Sequence, residues 1–544
     1  MKKLFLATAL CLGAASMSAQ SLWSTDPTKS NLLISSEDET SASLPQVKET
    51  PDGKFWITWL SWQDGMNSYI KAQLLDKEGH ALLDEGGIFV SKQVTSSWTS
   101  NYGMNVTPEG NLVVCHSDSR HDTENRQEFT PYAYMVDQEG NQLWGLTGVE
   151  LPTQARKGHR PMVGISKEGT IFIGINDLSA DDKSNGFTIY KFNNDGTFAW
   201  SNPLTVDGMF GAFAPCEEDD QYLSIIGGGA IQLYRFDSLG DMVWDEPVTV
   251  EDRDPNTRSE IVPVPDELGG VIMPYQRYIN LSVCYAGMQR VNPDGETCMG
   301  MKGITLSEVP AQHSAPGISL NGKREEMIAS WCVNEASYTN IYLMKYDYSG
   351  VPQWDEPIKA VDDRYMWGFP TTHATMLDDG TAIICYDSQY AAVKSQLHIM
   401  KISNNGDVLW DKQMSPEGYR DEPILFFDKE KGKGYVFLTD NRKDNGSSPS
   451  GGIYAQEFDL VDQSETSVES IEGSDLTIES AEGVITVKCE GEGTAELYDL
   501  AGAKAASQAL TSGVNSFAPE VAPGLYIVRV ATALGTVTKK VNIF

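Results

Sequence analysis

Two short runs in this chain collect the side chains that acid–base and anion chemistry need. One is His116-Ser117-Asp118-Ser119-Arg120-His121-Asp122, and the other is Arg156-Lys157-Gly158-His159-Arg160. A histidine beside an arginine or lysine can take a proton while the cation neutralises a nearby carboxylate, which is the equipment for cleaving a uronic-acid sugar by elimination. The same groups hold an anionic glycan without turnover, because Arg grips a carboxylate through two parallel hydrogen bonds. His116, His121, His159 and Arg160 are the catalytic candidates, and spacing alone does not separate cleavage from binding. A glycosidase would need two carboxylates about 5–10 Å apart. Among 76 Asp and Glu residues the sequence nominates no such pair.

What positions these runs is a repeat. The phrase D-x-x-G-x-x-x-W is complete at Asp137, Gly140, Trp144, at Asp237, Gly240, Trp244 and at Asp347, Gly350, Trp354. Looser copies run Asp76, Gly79, Leu83; Asn193, Gly196, Trp200; Asn292, Gly295, Met299; and Ser403, Gly406, Trp410. The glycines lie 61, 56, 44, 55, 55 and 56 residues apart. Such a period, built from short strands and glycine turns, implies propeller blades. Asp, Asn or Ser accepts hydrogen bonds from the backbone that follows, and Gly supplies positive φ, giving a hairpin of a type I turn and a bulge. The Trp opens the outgoing strand and is expected to dock on the neighbouring blade. An eighth incoming strand, Ile453 to Asp459, has no turn after it; Leu22-Trp23 and Asn31 to Ser35 supply its missing partner from the other end of the chain. Inner turns from Pro51-Asp52-Gly53 to Lys429–Gly434 support eight repeats. The expected fold is all-β: an eight-bladed propeller over residues 21–461, seven being the alternative count, closed by the N-terminal strand.

In a four-stranded blade both hairpin turns leave on one side. The connection from second to third strand, and the connection to the next blade, leave on the other. That second side gathers the expected ligand contacts Trp62, Trp98, Arg120, Arg156, Arg160, Tyr275, Arg277, Arg364, Tyr365, Trp367, Tyr419 and Arg420, with His313, Trp331, Tyr386 and Arg442 beside them. Sugar rings stack on Trp and Tyr, so the expected ligand is an extracellular glycan or a surface protein. With 41 basic and 76 acidic residues the net charge is −35, which repels nucleic acid and anionic membranes. Seven cysteines remain outside the leader, an odd number without close pairs. Cys115, Cys332 and Cys385 read as small core residues, and no Cys–His spacing suggests zinc. No cofactor is expected. Calcium suits the oxygen-rich loop Asp177 to Asp182, although no EF-hand loop is present.

Lys2 and Lys3, the apolar run Leu4 to Ala15 and the small residues Ser16, Ser18 and Ala19 form an expected signal peptide, residues 1–20. No later segment approaches the roughly 20 apolar residues of a membrane span, so export without membrane insertion is expected. An acidic, Ser-rich linker follows at 462–473, then a small all-β domain at 474–544.

Within that domain Tyr498-Asp499-Leu500-Ala501-Gly502, Pro523-Gly524-Leu525-Tyr526-Ile527-Val528-Arg529-Val530 and Lys539-Lys540-Val541 appear in order. This pattern resembles the C-terminal (type A) sorting domain of type IX secretion cargo. The resemblance implies a β-sandwich, passage through the outer-membrane secretion machinery, and release or attachment at the outer cell surface. The chain ends Ile543-Phe544 where many members end in a basic residue; a carbohydrate-binding or immunoglobulin-like module is the alternative. The turn and tryptophan phrase is similar to the docking motif of eight-bladed quinoprotein-like and WD40-like propellers. Quinone-using members carry adjacent cysteines, which this chain lacks, so the resemblance implies architecture alone. The expected function is ligand binding at the cell surface or in secreted form. The alternatives are a carbohydrate-active enzyme such as a polysaccharide lyase, and a structural surface-layer component.

Overall fold

The computed structural model describes residues 22–23, 32–36, 39, 41–62, 67–95, 102–122, 128–216, 219–227, 229–252, 263–280, 283–307, 309, 316–335, 338–364, 373–391, 394–414, 420–428, 431–440, 451–460, 477–481, 484–489, 491–498, 503–519, 521–522, 524–532 and 535–543. The expected signal peptide and linker lie outside them. Among the described residues there is no helix. The chain divides into two compact units, Met1–Phe427 with Gly434–Phe458, and Asp428–Lys433 with Asp459–Phe544.

In the first unit the turn phrase does the work its residue types imply. The Asp137 carboxylate accepts the backbone N–H of Glu139 (3.1 Å) and of Asn141 (2.7 Å), and Gly140 takes φ 85°. Asp237, Asn292, Asp347 and the Ser403 hydroxyl cap their turns in the same way. Each turn folds a third strand onto a fourth, and repetition yields four-stranded antiparallel sheets. The first sheet comprises Ser41–Glu49, Phe55–Trp62, Ser68–Leu75 and Ile88–Phe89. Six more follow over residues 103–150, 158–206, 209–252, 264–305, 317–364 and 373–413. The eighth takes Arg420–Asp428, Lys433–Asp440 and Gly452–Asp459, and its outer strand is Leu32–Leu33 from the start of the chain.

Successive sheets share apolar cores: Trp56 and Leu60 of the first with Tyr102 and Tyr134 of the second, Cys115 and Ala133 of the second with Ile173 and Tyr190 of the third, and so on. Phe55 of the first sheet packs against Phe426, Tyr435 and Phe437 of the eighth at 5.2–5.4 Å between ring centroids. First strands approach one another between the first and second, second and third, third and fourth, fourth and fifth, and sixth and seventh sheets. Four-stranded antiparallel sheets packed face to face in chain order are the architecture of a β-propeller.

Tryptophans of the phrase latch the second, third, fourth and sixth sheets to the next. Trp144 donates its indole N–H to the Asn194 carbonyl (2.9 Å), Trp200 to Ser238 (3.1 Å), Trp244 to Pro293 (3.2 Å) and Trp354 to Asn404 (3.0 Å), each acceptor lying in the following sheet's turn. Trp23 donates to Lys77 (2.8 Å) in the first sheet's turn, so the N-terminal segment carries the latch between the eighth sheet and the first. The eighth sheet has no such turn, and the buried indole N–H of Trp410 has no partner among the described residues.

The second unit holds a three-stranded and a four-stranded antiparallel sheet over residues 477–543. Ile485 and Val487 of one and Leu497, Val528 and Val530 of the other share a single apolar core. Cysteines 115, 216, 284, 298, 332, 385 and 489 form no disulfide among the described residues.

Candidate functional site

The two runs singled out above meet. Ser117 donates its hydroxyl to the Gly158 carbonyl (2.7 Å), the Gly158 N–H donates to Phe129 (2.9 Å), and Phe129 bridges Lys157 in parallel. The second-to-third-strand connection of the second sheet therefore lies beside the entry to the third sheet.

At the centre of the first run stands Tyr132, a residue the sequence reading passed over. Its hydroxyl donates to Glu150 (2.8 Å) and lies 2.7 Å from His121 Nε2. With the hydroxyl proton committed to Glu150, His121 carries its own proton on Nε2. The Arg120 guanidinium lies over the Tyr132 ring, its Cζ 3.4 Å from the centroid. It is held there by a two-pronged pair with Asp118 (2.6–3.0 Å) and by the Tyr134 hydroxyl (2.9 Å). Burial and the hydrogen bond to Glu150 push the Tyr132 hydroxyl well above the usual phenol range. Tyr132 is thus a proton holder and not a base.

His116 does not stand in the loop where the sequence placed it. The strand Leu112–Asp118 includes it, its ring stacks on Tyr134 at 5.5 Å, and it is 1% exposed. Burial pushes its pKa down to about 4. Neither ring nitrogen has a partner among the described residues.

In the second run Lys157 pairs with Asp182 (2.7 Å) and Arg156 approaches Glu128 (3.8 Å). Burial, with Arg160 beside it, lowers the pKa of His159 and leaves it neutral at pH 7. Arg160 has left-handed backbone (φ 49°) and sets its guanidinium 4.7 Å over the ring of Phe210 from the fourth sheet.

The remaining expected contacts divide. Trp62 is half-buried, donating to the Ser43 hydroxyl (3.3 Å). Arg277 is exposed and pairs with buried Glu251 (3.2 Å). Tyr275 is not a surface group: it lies in the core between the fourth and fifth sheets, its hydroxyl donating to the Lys302 carbonyl (2.8 Å). Trp331 and Tyr386 are likewise buried between sheets, because alternation along the second strand turns that position inward. Trp98, His313, Tyr365, Trp367, Tyr419 and Arg442 lie outside the described residues, as do the side chains of Arg364 and Arg420. In the acidic loop, Asp181 and Asp182 pair with Lys183 (2.6 Å) and Lys157. Among the described residues no three His, Cys, Asp or Glu side chains form a metal cluster.

No protein-family model and no curated protein matches the chain. Among solved structures it is similar to the polysaccharide lyase Uly1, at 10% identity over 78% of this chain and 90% of the other, with a TM-score of 0.41. An alpha-L-arabinanase of Penicillium chrysogenum shares 12% identity over 80% and 98% (TM-score 0.37), and the BP39L lectin of Burkholderia pseudomallei 8% over 69% and 99% (TM-score 0.44). At such values these likenesses carry no argument about activity; the propeller stands on the chain's own sheet packing.

Proposed function

We propose that the eight sheets are the blades of one ring, and that the ring binds a glycan on the side carrying the Tyr132 and Arg160 clusters. The observation that carries this reading is the convergence of Arg120, His121, Tyr132, Glu150, Arg156 and Arg160 from two neighbouring sheets onto that side. Fixed donors and acceptors beside the half-buried Phe210 ring are what a sugar needs, since its C–H faces stack and its hydroxyls pair. The second unit is a β-sandwich sorting domain that hands the chain to outer-membrane secretion machinery, and the product works in secreted form or at the cell surface. The residue patterns at 1–20 and 498–541 support this part of the reading.

A second reading has one observation behind it. His121, Tyr132 and Glu150 form a continuous hydrogen-bonded chain, in which His121 is the group a lyase or other carbohydrate-active enzyme would use for proton transfer. Binding of the full chain to a panel of neutral and acidic polysaccharides tests the first reading, with Arg156→Ala/Arg160→Ala as the comparison. Binding that weakens in the double variant is the expected result. Unsaturated products that vanish in His121→Ala would establish the second, and a protein that binds no polysaccharide would remove both.

A further inference from the structure

The first strands of three sheets slip register at the same repeat position. Ser43 and Gln46 face Leu60 and Thr58; His159 and Met162 face Asn176 and Gly174; Met209 and Ala212 face Ile226 and Ser224. Each slip is a one-residue bulge, and within each one bulky residue is left-handed: Leu44 (φ 53°), Arg160 (φ 49°) and Phe210 (φ 60°). Side chains of this kind rarely adopt such backbone. Here buried partners impose it. Asn176 donates to the His159 carbonyl (3.3 Å) and accepts the Phe210 N–H (2.7 Å), so one amide fixes two neighbouring bulges. Gly211 follows Phe210 where a Cβ would strike the Phe187 ring. In the first sheet the Tyr102 hydroxyl donates to the Leu44 carbonyl (2.9 Å).

Strain maintained by buried partners is characteristic of surfaces held ready for a ligand. What these bulges present is Arg160 over Phe210, both half-buried, on the side that carries the Tyr132 cluster. Among the described residues, neighbouring cations on that side are matched: Arg120 with Asp118, Arg156 with Glu128, Lys157 with Asp182 and Arg277 with Glu251. A uronate would find the field of these neighbours offset by carboxylates and the Arg160 charge set against the Phe210 ring, whereas an uncharged ring asks only for a hydrophobic face and hydrogen bonds. We propose that Phe210 and Arg160 form a subsite for a neutral sugar ring, an inference that rests on the glycan-binding reading. The pyranose packs on the exposed part of the Phe210 ring, and Arg160 N–H groups donate to its hydroxyls.

The test is calorimetric titration of the full chain with neutral gluco-, manno- and arabino-oligosaccharides and with oligogalacturonates, each at low and high salt. A neutral series should bind with an affinity that salt changes by less than about twofold, because screening acts only on uncompensated charge. Phe210→Ala should weaken it by about two- to tenfold, the loss of one aromatic stacking contact, while Phe210→Trp retains it. Should the alanine variant fail to fold, Phe210→Leu gives the same comparison. Salt-sensitive binding of oligogalacturonates alone, or neutral binding that ignores Phe210, overturns the subsite and leaves glycan binding standing. Binding of neither class overturns both.

Discussion

Against the ring of Tyr134, His116 has lost water, neither ring nitrogen finds a side-chain partner among the described residues, and burial takes its pKa down to about 4. The unfolded chain, with an ordinary histidine near 6.5, binds a proton over that interval while the folded chain does not. Stability therefore falls as pH drops from about 6.5 to 4, and the histidine accounts for up to about 3 kcal/mol of the loss. His116→Phe keeps the stack and removes the titration, so urea midpoints of the variant should decline less over this range than those of the parent. The sequence places His116 in the loop because Ser117, Asp118 and Ser119 follow it, and hydrophilicity does not reveal that the strand runs on to Asp118. Arg120 was legible as a cation but not as a compensated one, since its partner Asp118 lies only two residues away and is fully buried. Phe210 and Asn176 were missed because their importance is a matter of register. One signal existed: Pro45 and Pro161 directly follow Leu44 and Arg160 in strands that face a partner, and a proline there marks a bulge or an edge.

At the scale of the element, the turn phrase was legible in full because its physics is local: a capping side chain, a left-handed glycine, and a tryptophan at a fixed offset. Its interlocking role followed from the same residues. Trp144 stacks on Phe192 (5.1 Å) and donates to the next turn, so Trp144→Phe should lose one hydrogen bond and about 1 kcal/mol. Trp23 stands outside any complete copy of the phrase yet makes the equivalent bond, and it is 6% exposed. Trp23→Ala should cost about 3 kcal/mol in urea unfolding, as much as removing a core aromatic in mid-chain. A cost near zero would show that the N-terminal latch does not hold. The second strand of each sheet was read less well. Its fifth residue is Trp59, His116, Tyr275 or Tyr386 in different sheets, and burial by the preceding sheet, not residue type, decides which way it serves.

For the whole molecule, the pairing of Leu32–Leu33 with Gly452–Asp459 joins the two ends of the first unit in one sheet. Deleting the chain up to Ser36 leaves that strand as an open edge and removes Trp23 with it. Such edges recruit other chains, so the truncated protein should self-associate in size-exclusion chromatography and unfold at lower urea than Trp23→Ala. The closing contacts are among the most distant in the sequence: the Ile453 N–H donates to the Ser35 hydroxyl across 418 positions. Contacts of that separation are slow to form, because the intervening loop must first be brought together. A ribosome makes Leu32 and Leu33 near the start and their partner strand near the end. Throughout synthesis, and throughout any passage from one compartment to another, Leu32–Leu33 stays without its mate; that sheet is complete only after Asp459 has been made and has arrived where Leu32 is waiting.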